Sequence, residues 1–189
     1  MADNDAPKLS SDRLEYTIGN MINYGLCSAT DSKTIYDDIV LSSNEYGEEE
    51  LSFESFDLAE RFAILSLECS KVYVSPEDRY SMQILSEILA SALGKNVILY
   101  SDLYGRESDV IRKMEEDSEI GEMWNRYRSL SHMVKSEGHA DISRVVFAKK
   151  RKIDPMVAGA GRVSSLSEKY RRMLQKYAEE DFSVPLAAE

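Results

Sequence analysis

Apolar residues recur at intervals of three and four along most of this chain, with polar and charged residues between them. Leu14, Ile18, Met21, Ile22 and Leu26 fall at spacings of four, three, one and four, which is one face of a helix. Asp12, with Glu15 three residues on, supplies a capping-box pair at its start. A second short helix is predicted over "DSKTIYDDIVLSS", residues 31–43, with Ile35 and Ile39 inward. "NEYGEEELSFES", residues 44–55, has little periodicity and reads as an acidic connection.

Ser55 is the predicted cap of the next helix, whose buried side is Leu58, Ala59, Phe62, Leu65 and Cys69. "VSPED" is the clearest start signal in the chain. Ser75 caps, Pro76 fits the first turn, and Glu77 and Asp78 suit the positive end of the helix dipole. Tyr80, Ile84, Leu85, Ile88, Leu89 and Ala92 form its stripe, and Gly94 stands where a left-handed C-terminal residue belongs. Val97 to Tyr100 is a short apolar run with no strand to pair with, so helix or loop is favoured there.

Further helices are predicted over "ESDVIRKMEED" and, capped by Ser118, over "EIGEMWNRYRSLSHMVK", where Ile120, Met123, Trp124, Tyr127, Leu130 and Val134 share a face. "DISRVVFAKKRKI", residues 141–153, resumes the pattern with Asp141 as cap, and the Asp154–Pro155 step ends it, because proline disfavours helical geometry in the residue before it. "MVAGAGRVS" reads as a flexible connector. Ser165, with Glu168 three residues on, opens a last helix carrying Leu166, Tyr170, Met173, Leu174 and Tyr177.

The pattern amounts to about seven helices and no convincing strand. The expected fold is all-α: an irregular helical bundle with a basic C-terminal helix after a glycine-containing connector. The expected segments are a flexible acidic N-terminus (1–11), a helical domain (12–153), the connector (154–164), an amphipathic basic helix (165–180) and a loose tail (181–189).

A chain of 189 residues buries enough surface to fold without a metal or a disulfide. The opening residues are polar and acidic, unlike a secretory or transit peptide, and no apolar run approaches the roughly 18 residues that span a bilayer. Cys27 and Cys69 each lie in an apolar helical pattern with no CxxC or Cys/His spacing, which reads as two buried thiols in a reducing, intracellular compartment, the cytoplasm. "KKRK" at 149–152 also has the form of a nuclear-import signal, which matters only in a eukaryotic host.

Charge changes the picture. The net charge is -11, yet Arg144 to Lys176 holds ten basic residues against Asp154 and Glu168, a local balance of +8. Residues 1–60 hold fourteen acidic and three basic side chains. Three readings compete for the basic segment: a solvated face that balances its own acidic neighbours, a dock for an acidic protein surface or a second copy of the chain, and a contact for nucleic-acid phosphates.

Chemistry is sparse. The two histidines, His132 and His139, have no cysteine cluster beside them, so no zinc site is expected. Glu116, Glu119 and Glu122 stand three apart, but no second acidic helix answers them, so no metal is assigned. "RYRSLSH", residues 126–132, resembles the Arg-x4-6-His element of the HEPN class of helical ribonucleases, with Tyr127 in place of that class's characteristic polar residue after the arginine. The resemblance implies metal-independent RNA cleavage, with His132 in acid–base chemistry and Arg126 on the phosphate. It covers seven residues and ranks below the docking readings, as does an acidic DNA mimic.

The expectation is therefore a non-enzymatic helical interaction or adaptor protein, without cofactor or membrane. Its basic C-terminal segment would dock on an acidic protein surface or another copy, with nucleic acid as the alternative partner. The residues expected to carry this are Lys149, Lys150, Arg151, Lys152, Arg162, Tyr170, Arg171 and Arg172. Lysines act as point charges, arginines as bidentate grips, and Met156, Met173 and Tyr177 add apolar anchors.

Overall fold

The computed structural model describes residues 5–130, the backbone of 133–135, and 143–188. The chain divides into two compact units. One is Met1–Val74 with Lys149–Glu180, the other Ser75–Ala148 with Asp181–Glu189.

The first unit holds α1 (Ser11–Asn23), α2 (Ala29–Asp37), β1 (Ile39–Ser43), β2 (Glu49–Phe53), α3 (Phe56–Val72), β4 (Met156–Val157), β5 (Gly161–Arg162), α7 (Val163–Leu166) and α8 (Glu168–Ala178). Helix α3 is its centre. It packs on α1, α2, α7, α8 and the sheet, and buries Ala59, Phe62, Ala63, Leu67 and Cys69. Phe62 meets Phe53 of β2 with ring centroids 5.3 Å apart.

The second unit holds α4 (Pro76–Gly94), a 3₁₀ helix (Tyr100–Tyr104), α5 (Glu107–Glu116), α6 (Ser118–Arg128), β3 (Met133–Lys135) and β6 (Leu186–Ala188). Its core joins Ile88, Ala92, Ile98, Val110, Met114 and Ile120. Arg79, 6% exposed, lies over the Phe182 ring at 4.4 Å and donates to the Val146 carbonyl at 2.5 Å, pinning two otherwise irregular segments to α4. Among the described residues no helix is long and apolar enough to cross a membrane.

The chain is predominantly helical, as the periodicity implies, but it is not all-α. The first unit contains a four-stranded mixed sheet in the order β1-β2-β4-β5, and β3 pairs antiparallel with β6. Residues 39–43, expected to finish a helix, are the edge strand β1, with Leu41 56% exposed. The acidic connection closes a β-hairpin. Asn44 Oδ1 accepts the N–H groups of Tyr46 and Glu48, and Gly47 takes a φ of +77° that suits a residue without Cβ.

Four more segments differ from the sequence reading. Residues 154–164 are not a connector: Ile153 to Val157 are buried, and β4 runs parallel to β2 before turning back into β5. The tail is tied down, with Leu186 fully buried in β6 and bridged to Arg144. The N-terminal stretch is packed from Leu9, fully buried, whose N–H meets the Glu50 carboxylate. Residues 145–153 are extended rather than helical. A helix there would set Lys149 and Lys152 at a repulsive i,i+3 spacing directly before a proline.

Helix ends also moved. Ser10, Asp117 and Ser167 are the N-caps expected at Asp12, Ser118 and Ser165, while Ser75 caps α4 as expected. Gly94 closes α4, and the left-handed residue is Asn96, with φ +58°. Residues 97–99 form a loop leading into the 3₁₀ helix.

Candidate basic cleft

The run Lys149–Lys152 is one wall of a cleft of about 190 Å³ in the first unit. Helix α1 provides a second wall with Arg13, Tyr16 and Thr17. Helix α3 provides a third with Ser66, Ser70 and Tyr73, and Ala6 and Pro7 close one end. Among the described residues no carboxylate lines this space. In a chain of net charge -11 that exclusion is its distinguishing property.

Each wall is held locally. Ser10 accepts the Arg13 N–H at the start of α1, and the Arg13 guanidinium donates to the Lys8 carbonyl at 2.7 Å. The α3 hydroxyls face their own helix: Ser66 donates to the Ala63 carbonyl and Ser70 to that of Ser66. Tyr73 accepts from Asn20 at 2.6 Å, and burial pushes its phenol up to about 12.

The extended wall is fastened at three points. Asp154 N–H donates to the Pro7 carbonyl at 2.9 Å, and the buried Tyr170 hydroxyl donates to the Ile153 carbonyl at 2.5 Å. The Tyr177 hydroxyl donates to the Ser70 carbonyl at 3.3 Å and ties α8 to α3 beside it. Lys150 Nζ donates to the carbonyls of Ala178 and Glu180 at the end of α8, the negative pole of that helix.

The basic residues expected to act together divide sharply. Lys149, Arg151 and Lys152 form no ion pair among the described residues, and Arg151 and Lys152 are exposed. Arg162, expected on the docking surface, is internal instead. Its five N–H groups go to Glu50 (2.6 and 2.8 Å), Glu45 (3.1 and 3.0 Å) and the Asp154 carbonyl (3.0 Å), with Glu50 1% exposed. Burial works against that guanidinium's charge, but Glu50 and Glu45 outweigh it and hold its pKa above the ordinary arginine value. Tyr170 is internal too, at 0% exposure, because its hydroxyl is committed to the main chain of the extended wall.

Arg171 donates to the carbonyls of Ser164 and Ser165, Arg172 pairs with Glu168, and both lie outside the cleft. Arg144 belongs to the second unit and grips Glu87 at 3.0 and 3.2 Å. Of the apolar anchors, Met156 and Tyr177 are buried within the first unit. His132 and His139, and with His132 the ribonuclease-like element, lie outside the described residues.

Sequence reasoning missed Arg13, Thr17, Ser70 and Tyr73. Two signals pointed to them. Arg13 and Thr17 stand four apart on α1, while Ser66, Ser70 and Tyr73 stand four and three apart on α3, a polar stripe on a helix with apolar neighbours.

The arrangement can concentrate positive charge and hydrogen-bond donors around a compact anion. No cluster of three or more His, Cys, Asp or Glu that could hold a metal ion occurs among the described residues. No family model matches the chain, and no solved structure matches it. The chain is 24% identical over 174 residues to the Uncharacterized protein YdhJ of Bacillus subtilis (strain 168), a similarity that takes in 89% of this chain. It spans about half, 51%, of the length of that curated relative.

Proposed function

We propose that the chain is a non-enzymatic interaction protein that holds an acidic protein partner through the cleft bounded by Lys149–Lys152, α1 and α3. One observation carries this reading. Arg144, Arg162 and Arg172 are neutralised by carboxylates of this same chain, whereas Lys149, Arg151 and Lys152 are not, and they border a concave space free of carboxylates among the described residues. Charge left unmatched at a concave surface attracts a complementary partner and fixes its register.

The test compares the full chain with the triple variant Lys149→Met, Arg151→Met, Lys152→Met for binding of a glutamate-rich peptide and of a single-stranded oligonucleotide at two salt concentrations. The peptide binds the natural chain, and the triple variant loses that binding. Equal peptide binding by both proteins rejects the reading. Preferential oligonucleotide binding, falling steeply with salt, would replace it with the nucleic-acid alternative.

A further inference from the structure

We propose that the group this cleft receives is a phosphate monoester, presented by a phosphorylated side chain of the protein partner. The inference rests on the docking reading above and sharpens it.

Size sets the first limit. Pockets for drug-sized molecules run from about 300 Å³ upward, and this cleft encloses about 190 Å³. It admits the tip of a side chain rather than a whole nucleotide. A single-stranded nucleic acid tracks across roughly 4–16 nucleotides per binding fold, which a cleft this small does not provide.

Donor inventory sets the second. Lys149, Arg151 and Lys152 have no ion pair among the described residues, so the cleft can balance more than one negative charge. A glutamate brings one unit charge on two oxygens, whereas a phosphorylated serine brings about -1.5 to -2 on three. The main-chain N–H groups of Lys149 and Lys152 have no partner among the described residues and add donors along the same wall.

Thr17 supplies the third, independent point. It lines the cleft, is 2% exposed, and its hydroxyl has no hydrogen bond among the described residues. A hydroxyl with no protein partner that borders an open cleft is available to donate to an incoming anion. It offers a neutral donor for a third phosphate oxygen from the α1 wall.

The experiment uses fluorescence anisotropy with three labelled peptides of one neutral sequence, bearing phosphoserine, glutamate or serine at one position. They are titrated with the full chain and with the variants Thr17→Val, Thr17→Ser, the triple methionine variant and the control Lys169→Met. Circular dichroism and urea midpoints establish that each variant is folded. The phosphoserine peptide is expected to bind about tenfold tighter than the glutamate peptide, in line with charge-assisted bonds to a dianion. Inorganic phosphate displaces it. Thr17→Val weakens phosphopeptide binding several-fold, while Thr17→Ser and Lys169→Met preserve it.

Equal affinity for the phosphoserine and glutamate peptides overturns the inference and leaves the docking reading standing. Absence of binding by both charged peptides overturns both. An oligonucleotide that displaces the phosphopeptide with affinity rising with its length overturns the inference in favour of nucleic acid.

Discussion

The ammonium of Lys150 lies 2.7 Å from the carbonyl oxygen of Ala178, the residue that ends α8. Its neighbour Lys149 has no such contact. One run of four like charges is therefore divided: Lys150 secures the extended wall, while Lys149, Arg151 and Lys152 line the cleft with no ion pair among the described residues. Lys150→Met should cost about 1 kcal/mol of stability, the usual worth of a cation at a helix C-terminus. Lys149→Met should stay within about 0.5 kcal/mol, as surface substitutions do. Urea denaturation of the two variants measures the difference.

Arg162→Met removes the guanidinium that neutralises Glu50, a carboxylate only 1% exposed, and leaves it only the neutral Leu9 N–H and Asn44 amide. Leaving one partner of a buried pair uncompensated costs about 3–5 kcal/mol. Arg162→Lys restores the charge but not the five-donor fork, and should recover part of the loss. Adding Glu50→Gln to Arg162→Met should also recover part of it, because the orphaned charge is gone. A urea midpoint for Arg162→Met equal to that of the natural chain would show that Arg162 is not a structural anchor.

Acid should weaken the fold in a defined window. Arg162 hydrogen bonds hold Glu45 below its ordinary 4.5, Arg144 does the same for Glu87, and the Ser28 hydroxyl and Arg61 bring Asp31 from 3.8 to about 2. A carboxylate whose folded pKa is depressed contributes stability above its unfolded pKa and loses it as pH falls. Stability should be level above about pH 5 and decline between about 4.5 and 2, as these groups take up protons. These carboxylates are partly exposed, so added salt should shrink the effect. Urea midpoints measured across that range check the direction.

The thiols should differ in reactivity. Burial, followed by the influence of Cys27, pushes Cys69 from 9.0 up to about 11, while Cys27 is only half-buried and lies 3.0 Å from the Ser32 hydroxyl. Near pH 8 the folded chain should give one reactive thiol to a disulfide reagent and two after denaturation. Because the folded pKa of Cys69 is raised, its contribution to stability is complete below 9 and disappears as pH rises through about 11.

Helices were legible wherever the code was local. Ser75, Pro76, Glu77 and Asp78 announce α4 within four residues, and Ser75 does accept the Asp78 N–H. The sheet was hidden because its pairing is not local. Ser52 of β2 meets Met156 of β4 across more than a hundred residues, and β4 and β5 are two residues long, too short to show alternation. Arg162 looked like a surface cation for the same reason: its partners Glu45 and Glu50 are far away in sequence. The cleft was half legible. Lys149–Lys152 stands out in any reading of charge, whereas Arg13, Thr17 and Ser70 look like ordinary solvent positions until α1 and α3 are placed side by side.

The most direct measurement is amide chemical-shift mapping of the full chain while the phosphoserine peptide is added. The account expects the largest changes at Arg13, Tyr16, Thr17, Ser70 and residues 149–153, with none of that pattern in the triple methionine variant. Changes centred on other elements, or persisting undiminished in the triple variant, would contradict it.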